Sequence, residues 1–242
     1  MSIALDFPKE GIARVLLSRP EKRNALNGMM VASFIAALSE VTKLAQHGKC
    51  RVLLIEGAGK DFCAGADLEW MKKMAVAGVE ENQADALQLA TLFRRIHEMP
   101  VPVLALVQGA TMGGGMGIVS ACSLVIAATD AFFCFPEVRI GLVPYVVSPW
   151  VIAAIGRRAA GYYFTTAEKI TVDVALRLGL LHRMVPAADL QSEGLKLARE
   201  LSQFESCVLS EVRTLLSEPL LTDELTAGRL AKLRRKIWKA EA

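Results

Sequence analysis

TMGGGMGIVSAC, residues 111–122, puts four glycines into positions 113–117, behind the apolar run Val101–Val107 and ahead of a pattern with helical period. Glycine inside a regular element costs about 0.5–1 kcal/mol against alanine through lost backbone freedom. A strand-to-helix turn this bare implies that something must approach its backbone. Such a turn presents the unpaired N–H groups of a helix N-terminus, where partial positive charge gathers. Phosphate is one user, but the turn lacks the lysine of a GxxxxGK[ST] loop and the spacing of GxGxxG. An oxyanion is the other user, and it takes two N–H donors. FCAGADL, residues 62–68, offers a second turn of the same kind, behind the apolar run RVLLIEG at 51–57. Either turn alone reads as a tight connection; the two together outline a two-donor site.

Working outward, residues 12–18 read as a strand ending at Arg19-Pro20. Asn27 is placed to cap a helix to about Gln46, with Met30, Phe34, Ala37, Leu38, Val41 and Leu44 apolar and His47-Gly48 closing it. After the 51–57 strand, a helix is expected from Leu68 through Lys73, then a polar stretch from Ala77 to Asp85, then a second helix to His97. Strand 103–109 leads into the glycine turn and a helix starting near Gly115. LVIAAT (124–129) and AFFCF (131–135) follow, then a proline-bounded loop and a mainly helical remainder from Pro149. Strands alternating with helices over about the first 140 residues, then helices alone, predict an α/β fold with a helical C-terminal part.

Composition narrows the function classes. The chain has 242 residues, 53% of them hydrophobic, which suits a close-packed layered core or a buried subunit interface. A net charge of +3 is too slight to imply nucleic acid. Five cysteines without a CxxC pair read as buried free thiols of a reducing compartment. His47, His97 and His182 lack ligand spacing, so no metal is expected. No apolar run is expected to approach the roughly 18 residues of a membrane span. The N-terminal MSIALDFPKE does not read as a signal peptide, so a cytoplasmic protein is expected.

RPEKRNAL (19–26), DFCAGADL (61–68), GATMGGGMG (109–117) and FPEVRIGLVP (135–144) follow one another in that order. In this combination the chain, over about residues 5–235, resembles the crotonase family, the enoyl-CoA hydratase/isomerase superfamily. The resemblance implies a spiral of repeated ββα units over residues 1–190 and a helical C-terminal segment, 191–242, that serves oligomerisation. It implies trimers or pairs of trimers and an acyl-CoA substrate. No separate cofactor is implied, coenzyme A being part of the substrate, and neither membrane nor nucleic acid is an expected partner. The family polarises the thioester with two backbone N–H groups, which by motif match belong to Ala66 and Gly114. Substrate contacts are implied at Lys22, Arg23, Ala25, Ala64, Asp67 and Leu68, and at Gly113, Pro136, Leu142 and Tyr145.

The family's hydratases set two glutamates around the alkene, one after the glycine turn and one after a proline further on. The second matches Glu137. The first falls on Gly117, which carries no side chain. Gly117 reads as a close-packing point of the helix or as the loss of the two-carboxylate mechanism. Met116 and Gly117 are expected to turn the near side of their helix to the acyl chain, so that a carboxylate installed at 117 would obstruct binding. Arg139, in an extended segment, would share a face with Glu137. An ordinary ion pair is its first reading; a contact to Glu137 or to a substrate carboxylate is the second.

Where many hydratases carry a glycine-rich loop, this chain reads Pro144-Tyr145-Val146-Val147-Ser148-Pro149-Trp150. Tyr145 and Ser148 read equally as polar contacts or as packing and capping groups. GADLEWM, GGGMGIVSAC and PEVRIGLVP…SPWVIAAIG resemble the methylglutaconyl-CoA and isohexenylglutaconyl-CoA hydratase branch, which implies branched acyl chains with a distal carboxylate. The expected activity is hydration of a 2-enoyl-CoA with one glutamate. Δ3–Δ2 enoyl-CoA isomerisation, which needs only one, is the close alternative. A catalytically weak acyl-CoA- or RNA-binding relative is the alternative of another class, suggested by the missing glutamate and the basic run RLAKLRRKIWK (229–239), whose default reading is a solvated helix face.

Overall fold

The structure, a computed structural model, describes residues 2–217 and 223–238. Its elements begin with β1 (Ile3–Lys9), β2 (Gly11–Leu17), α1 (Gly28–Gln46), β3 (Cys50–Gly57), α2 (Leu68–Ala75), α3 (Val79–His97), β4 (Val103–Val107), β5 (Ala110–Met112) and α4 (Gly114–Ala121). They continue with β6 (Leu124–Ala128), β7 (Phe132–Cys134), α5 (Ser148–Thr166), β8 (Ile170–Thr171), α6 (Val172–Arg177), β9 (Arg183–Val185), α7 (Leu190–Ser202), α8 (Ser206–Ser217) and α9 (Asp223–Trp238).

One sheet has the order β1-β2-β3-β4-β6-β9 and a smaller one β5-β7-β8. β4 pairs with β6 in the large sheet, and their chain successors β5 and β7 pair in the small one. Isolated parallel bridges, Leu26 with Ala66 and Cys63 with Thr111, extend the small ladder backward. The chain therefore winds in ββα turns. Each turn lays one strand on the large sheet, a second extended piece on the small ladder, and then a helix. The turns differ in length, since α1 has 19 residues and α4 has 8, which is why the spiral leaves no fixed period in the sequence.

β3 and β4 are buried on both faces, as continuous apolar strands of a parallel layer should be. On β3, Leu53 and Ile55 enter the core shared with α1, α3, α4 and α5. Val52 and Leu54 point the other way, into a second core closed by Leu190 and Ala198 of α7. Asn27 caps α1 by accepting from the Met30 N–H at 2.9 Å.

By length and composition α1 would suffice to cross a membrane, which amends the expectation that no segment comes close. Its Met30, Phe34, Leu38 and Val41 are fully buried, the mark of a core helix. Cys50, Cys63 and Cys134 are buried free thiols, and Cys122 and Cys207 are free and half-buried.

Two further expectations are corrected. The stretch expected to separate two helices is helical from Val79: Gly78 starts α3, and Glu80 and Glu81 in its first turn complement the helix dipole. Its early residues are exposed, so no apolar face announced them. Beyond residue 140 the chain is not helical alone, because β8 pairs with β7 and β9 with β6. At two and three residues these strands are too short to show alternation.

The small ladder places the chemistry. Ala66, Gly113–Gly114 and Pro136–Glu137 each follow the small-ladder piece of three successive turns, so the spiral stacks them at one end.

Candidate active site

The loops are tied together by a few buried polar groups. Arg23 and Asn24 adopt left-handed φ values of 52° and 55°. Asn24, fully buried, donates to the Ala58 and Asp61 carbonyls at 2.9 and 2.8 Å and accepts from the Arg19 N–H at 2.8 Å. Asp61 accepts from Arg23 at 2.7 Å and from the Ala110 N–H at 2.8 Å. The Arg23 guanidinium holds the Asp61 carboxyl below its ordinary range. Asp67 caps α2 through the Glu69 N–H and pairs with Arg19 at 2.8 Å. Its side chain is thereby committed to holding the loop that carries Ala66. Lys22 pairs with Glu69 at 3.2 Å on the surface.

These loops wall a cavity of about 760 Å³. Lys22, Arg23 and Ala25 line it from the first loop, Ala64, Ala66, Asp67 and Leu68 from the second, and Gly113 and Gly114 from the third. Pro136, Glu137, Leu142 and Tyr145 line it as well. The structure thus brings the nominated donors Ala66 and Gly114, Glu137 and the ten nominated substrate contacts around one space.

The N–H groups of Ala66 and Gly114 are among the backbone donors of this wall left without a protein acceptor among the described bonds. Around Ala66, the Leu26 N–H donates to the Gly65 carbonyl at 2.7 Å and the Asp67 N–H to the Leu26 carbonyl at 2.8 Å. Ala64 donates to the Arg23 carbonyl at 2.9 Å, while the Ala66 N–H has no protein acceptor among the described loop bonds. Gly114 opens α4, so its N–H has no intrahelical partner, whereas the Gly113 N–H reaches the Cys134 carbonyl at 3.2 Å.

The two turns come into contact. Gly65, at φ +97°, lies so close to the third loop that an added methyl would meet the Met112 carbonyl oxygen at 3.1 Å. Gly113, at φ +46°, leaves room for Glu137, whose Oε1 would sit 3.2 Å from a methyl there. The Glu137 carboxylate is thus beside the donor turn. Its Oε2 is buried without a hydrogen-bond partner, and burial pushes the carboxyl above its ordinary value, opposed by a bond from its own N–H.

The sequence pattern of enoyl-CoA hydratases/isomerases matches residues 8–236. The chain belongs to that family. It is 35% identical over 195 residues, 81% of this chain and 76% of the relative, to a Thermus thermophilus protein carried under a provisional enoyl-CoA hydratase name. The crystal structure of an enoyl-CoA hydratase from Shewanella pealeana matches with a TM-score of 0.90 at 34% identity, covering 97% of this chain and 88% of that one. Pseudomonas aeruginosa AtuE matches at 0.90 and 31% identity over 98% and 92% of the two chains. The fold is the crotonase fold, and membership of this enzyme family makes acyl-CoA the substrate class.

Within this hydratase/isomerase framework, Gly117 departs from expectation. It and Met116 are buried and do not reach the cavity. A methyl on Gly117 would lie 2.3 Å from Cζ of Phe93, a fully buried residue of α3. The near side of α4 packs on α3, so an installed carboxylate strikes the core rather than the acyl chain. Gly117→Glu is therefore expected to cost at least about 1–3 kcal/mol through overpacking. For a chain of this size each kcal/mol is about 2–4 °C of melting temperature. An unchanged thermal melt would refute the packing argument.

Arg139 is also corrected. Residues Glu137–Ile140 form a 3-10 turn, not an extended segment, so the two side chains diverge. Arg139 donates to the Ala167 carbonyl at 2.6 Å, at the end of α5, and forms no ion pair with a carboxylate among the described residues. Ser148 donates to the Tyr145 carbonyl at 2.9 Å and so serves the turn, while Tyr145 is exposed at the cavity rim. The Cys63 thiol, beside the donor loop, is pushed up to about 12 by burial and offers no thiolate nucleophile. Of the basic C-terminal run, Lys232 is exposed on α9 and Lys239 lies outside the described residues.

Sequence reasoning missed Trp70, Met71, Asp85 and Leu89, which also line the cavity. They come from α2 and α3, and only the packing of those helices reveals them.

Proposed function

We propose that the protein hydrates a 2-enoyl-CoA, with the thioester oxygen held by the Ala66 and Gly114 N–H groups and Glu137 as the single carboxylate. The observation that carries this reading is the convergence of two unengaged backbone donors and one partnerless, desolvated carboxylate on a single cavity. The donors stabilise the negative charge that develops on the thioester oxygen when a nucleophile adds to the β-carbon. Glu137 takes a proton from the attacking water and returns it to the α-carbon, so hydroxyl and hydrogen are both delivered and the carboxylate is regenerated. The hydratase names of the relatives support the choice of reaction.

One observation favours a second reading. Phe93 fills the space beside Gly117, so α4 contributes no second carboxylate. A lone carboxylate suits a double-bond shift, in which Glu137 removes a proton from the α-carbon of a 3-enoyl-CoA and returns it to the γ-carbon. The branched, glutaconyl-like acyl chain rests on the sequence resemblance alone, and Asp85 on the cavity wall weighs against its distal carboxylate.

Turnover on a panel of 2- and 3-enoyl-CoA esters, with products separated by mass, tests both. Hydration adds the mass of water and isomerisation leaves the mass unchanged. Hydrated product from the 2-enoyl esters is the expected result. Shifted product without hydration would establish the second reading, and no conversion of any ester would overturn both.

A further inference from the structure

Asp85 projects from α3 into the cavity wall, half-buried. Its Oδ1 accepts from the Trp70 indole N–H at 3.0 Å, a bond that joins α3 to α2. Trp70 is wedged in turn against the first turn of α1, where a methyl on Gly28 would lie 2.5 Å from the ring. The position of the carboxylate is therefore fixed from three helices. Asp85, Leu89 and Phe93 recur at four-residue intervals, one stripe along α3. Phe93 abuts Gly117 of the donor helix, and Asp85 lies two turns away, about 12 Å along the axis. Asp85 and Leu89 carry this stripe of α3 to the cavity wall, while Phe93 lies under α4.

Every other carboxylate reaching this wall except Glu137 is matched: Asp67 by Arg19 at 2.8 Å and Glu69 by Lys22 at 3.2 Å. Among the described residues Asp85 has no ion pair, only the indole donor. Lys73 lies 4.9 Å from the centroid of the Trp70 ring and 3.9 Å from Glu81. Lys72 also lines the cavity, exposed and about 200° round α2 from Trp70, and forms no ion pair with Asp85 among the described residues. The cavity wall thus carries, held by the Trp70 indole, a carboxylate with no ion pair among the described residues, whose acceptor capacity exceeds the one indole bond.

The geometry points to Asp85 as the residue that sets the charge specificity of the acyl cavity: it disfavours acyl chains ending in a carboxylate and admits chains with a neutral distal end. This rests on the acyl-CoA reading of the site and opposes the distal carboxylate implied by the sequence resemblance. Like charges held together in a partly desolvated wall repel far more than in water. An apolar cavity disfavours a carboxylate by desolvation alone. The diagnostic quantity is therefore how discrimination changes when the charge at position 85 is removed.

The test uses two 2-enoyl-CoA esters of equal length, one ending in methyl and one in carboxylate, on the wild type and on Asp85→Asn. Asparagine keeps the shape and an acceptor for Trp70. The ratio of kcat/KM for the two esters is measured, together with the ratio of Kd for the matching saturated esters by calorimetry. The expected result is a wild-type preference for the methyl ester that falls about tenfold in the Asn variant, in both measures. A wild-type ratio near one, or a ratio unchanged by Asp85→Asn while the methyl ester still binds, would overturn the assignment and leave the acyl-CoA reading intact. Binding of neither ester would overturn the acyl-CoA reading and this assignment with it.

Discussion

Glu137→Gln is expected to lower turnover by about 10²–10⁴, the reach of general acid–base catalysis, while acyl-CoA binding persists. Glutamine keeps the size of the side chain, and Oε2 has no partner among the described residues, so no hydrogen-bond network described there is broken. Only the capacity to accept and return a proton is lost. Burial raises the Glu137 carboxyl, so its basic form appears at a higher pH than an ordinary glutamate, whose value is about 4.3. Wild-type turnover should fall on an acid limb displaced upward from that value, and the residual activity of the variant should lack the limb.

The stability consequence has a definite sign. A carboxyl raised on folding contributes stability that is present below its unfolded value and lost as pH rises through its folded value. Glutamine escapes that loss, so the variant should melt no lower than wild type at neutral pH. Undiminished turnover in the folded variant would end the single-carboxylate mechanism, whichever reaction it serves.

The parts of the fold legible in the sequence are those whose signals are local. β3 and β4 show as unbroken apolar runs because they are buried on both faces, and α1 announces itself through the Asn27 cap. The site loops show for the same reason, since glycine at Gly65 and Gly113 answers a backbone requirement written into those residues. β1 was hidden by a mixed sequence containing Pro8, and β8 and β9 by their length. The start of α3 was hidden by its exposure.

What the sequence concealed about the site depends on contacts between distant segments. The missing side chain at Gly117 was visible, but not that Phe93, 24 positions earlier, fills its place. That turns on the rotational phase of two helices against each other. Arg139 was misplaced because a 3-10 turn rotates it off the face that an extended segment would share with Glu137. Trp70 and Asp85 carry no local signal at all, and their bond exists only because α2 and α3 fold back over α1. The donor pair was the reverse case: the sequence marked both turns, and the structure supplied the contact between them.

Ala66→Pro tests that pair most directly, and turnover is expected to fall by about 10²–10³, the loss of one oxyanion donor. Proline deletes the N–H and leaves both bonds of the local bridge in place, because these use the Gly65 carbonyl and the Asp67 N–H. The fold should survive, as far-UV circular dichroism would show. Gly114→Pro is the matching probe. Gly114 is the first residue of α4, where a missing N–H breaks no helical bond, but its added Cβ would lie 2.9 Å from Cδ1 of buried Leu26 and disturb the turn, so Ala66→Pro is the cleaner probe. If both groups face one oxygen, each variant should lose kcat, since each removes a donor that matters more as charge develops than in the bound ester. A folded Ala66→Pro enzyme with wild-type kcat would remove Ala66 from the site. The thioester oxygen would then need another second donor, and the Gly65 N–H would be the next to test, since Ala64, Leu26 and Asp67 already donate to carbonyls.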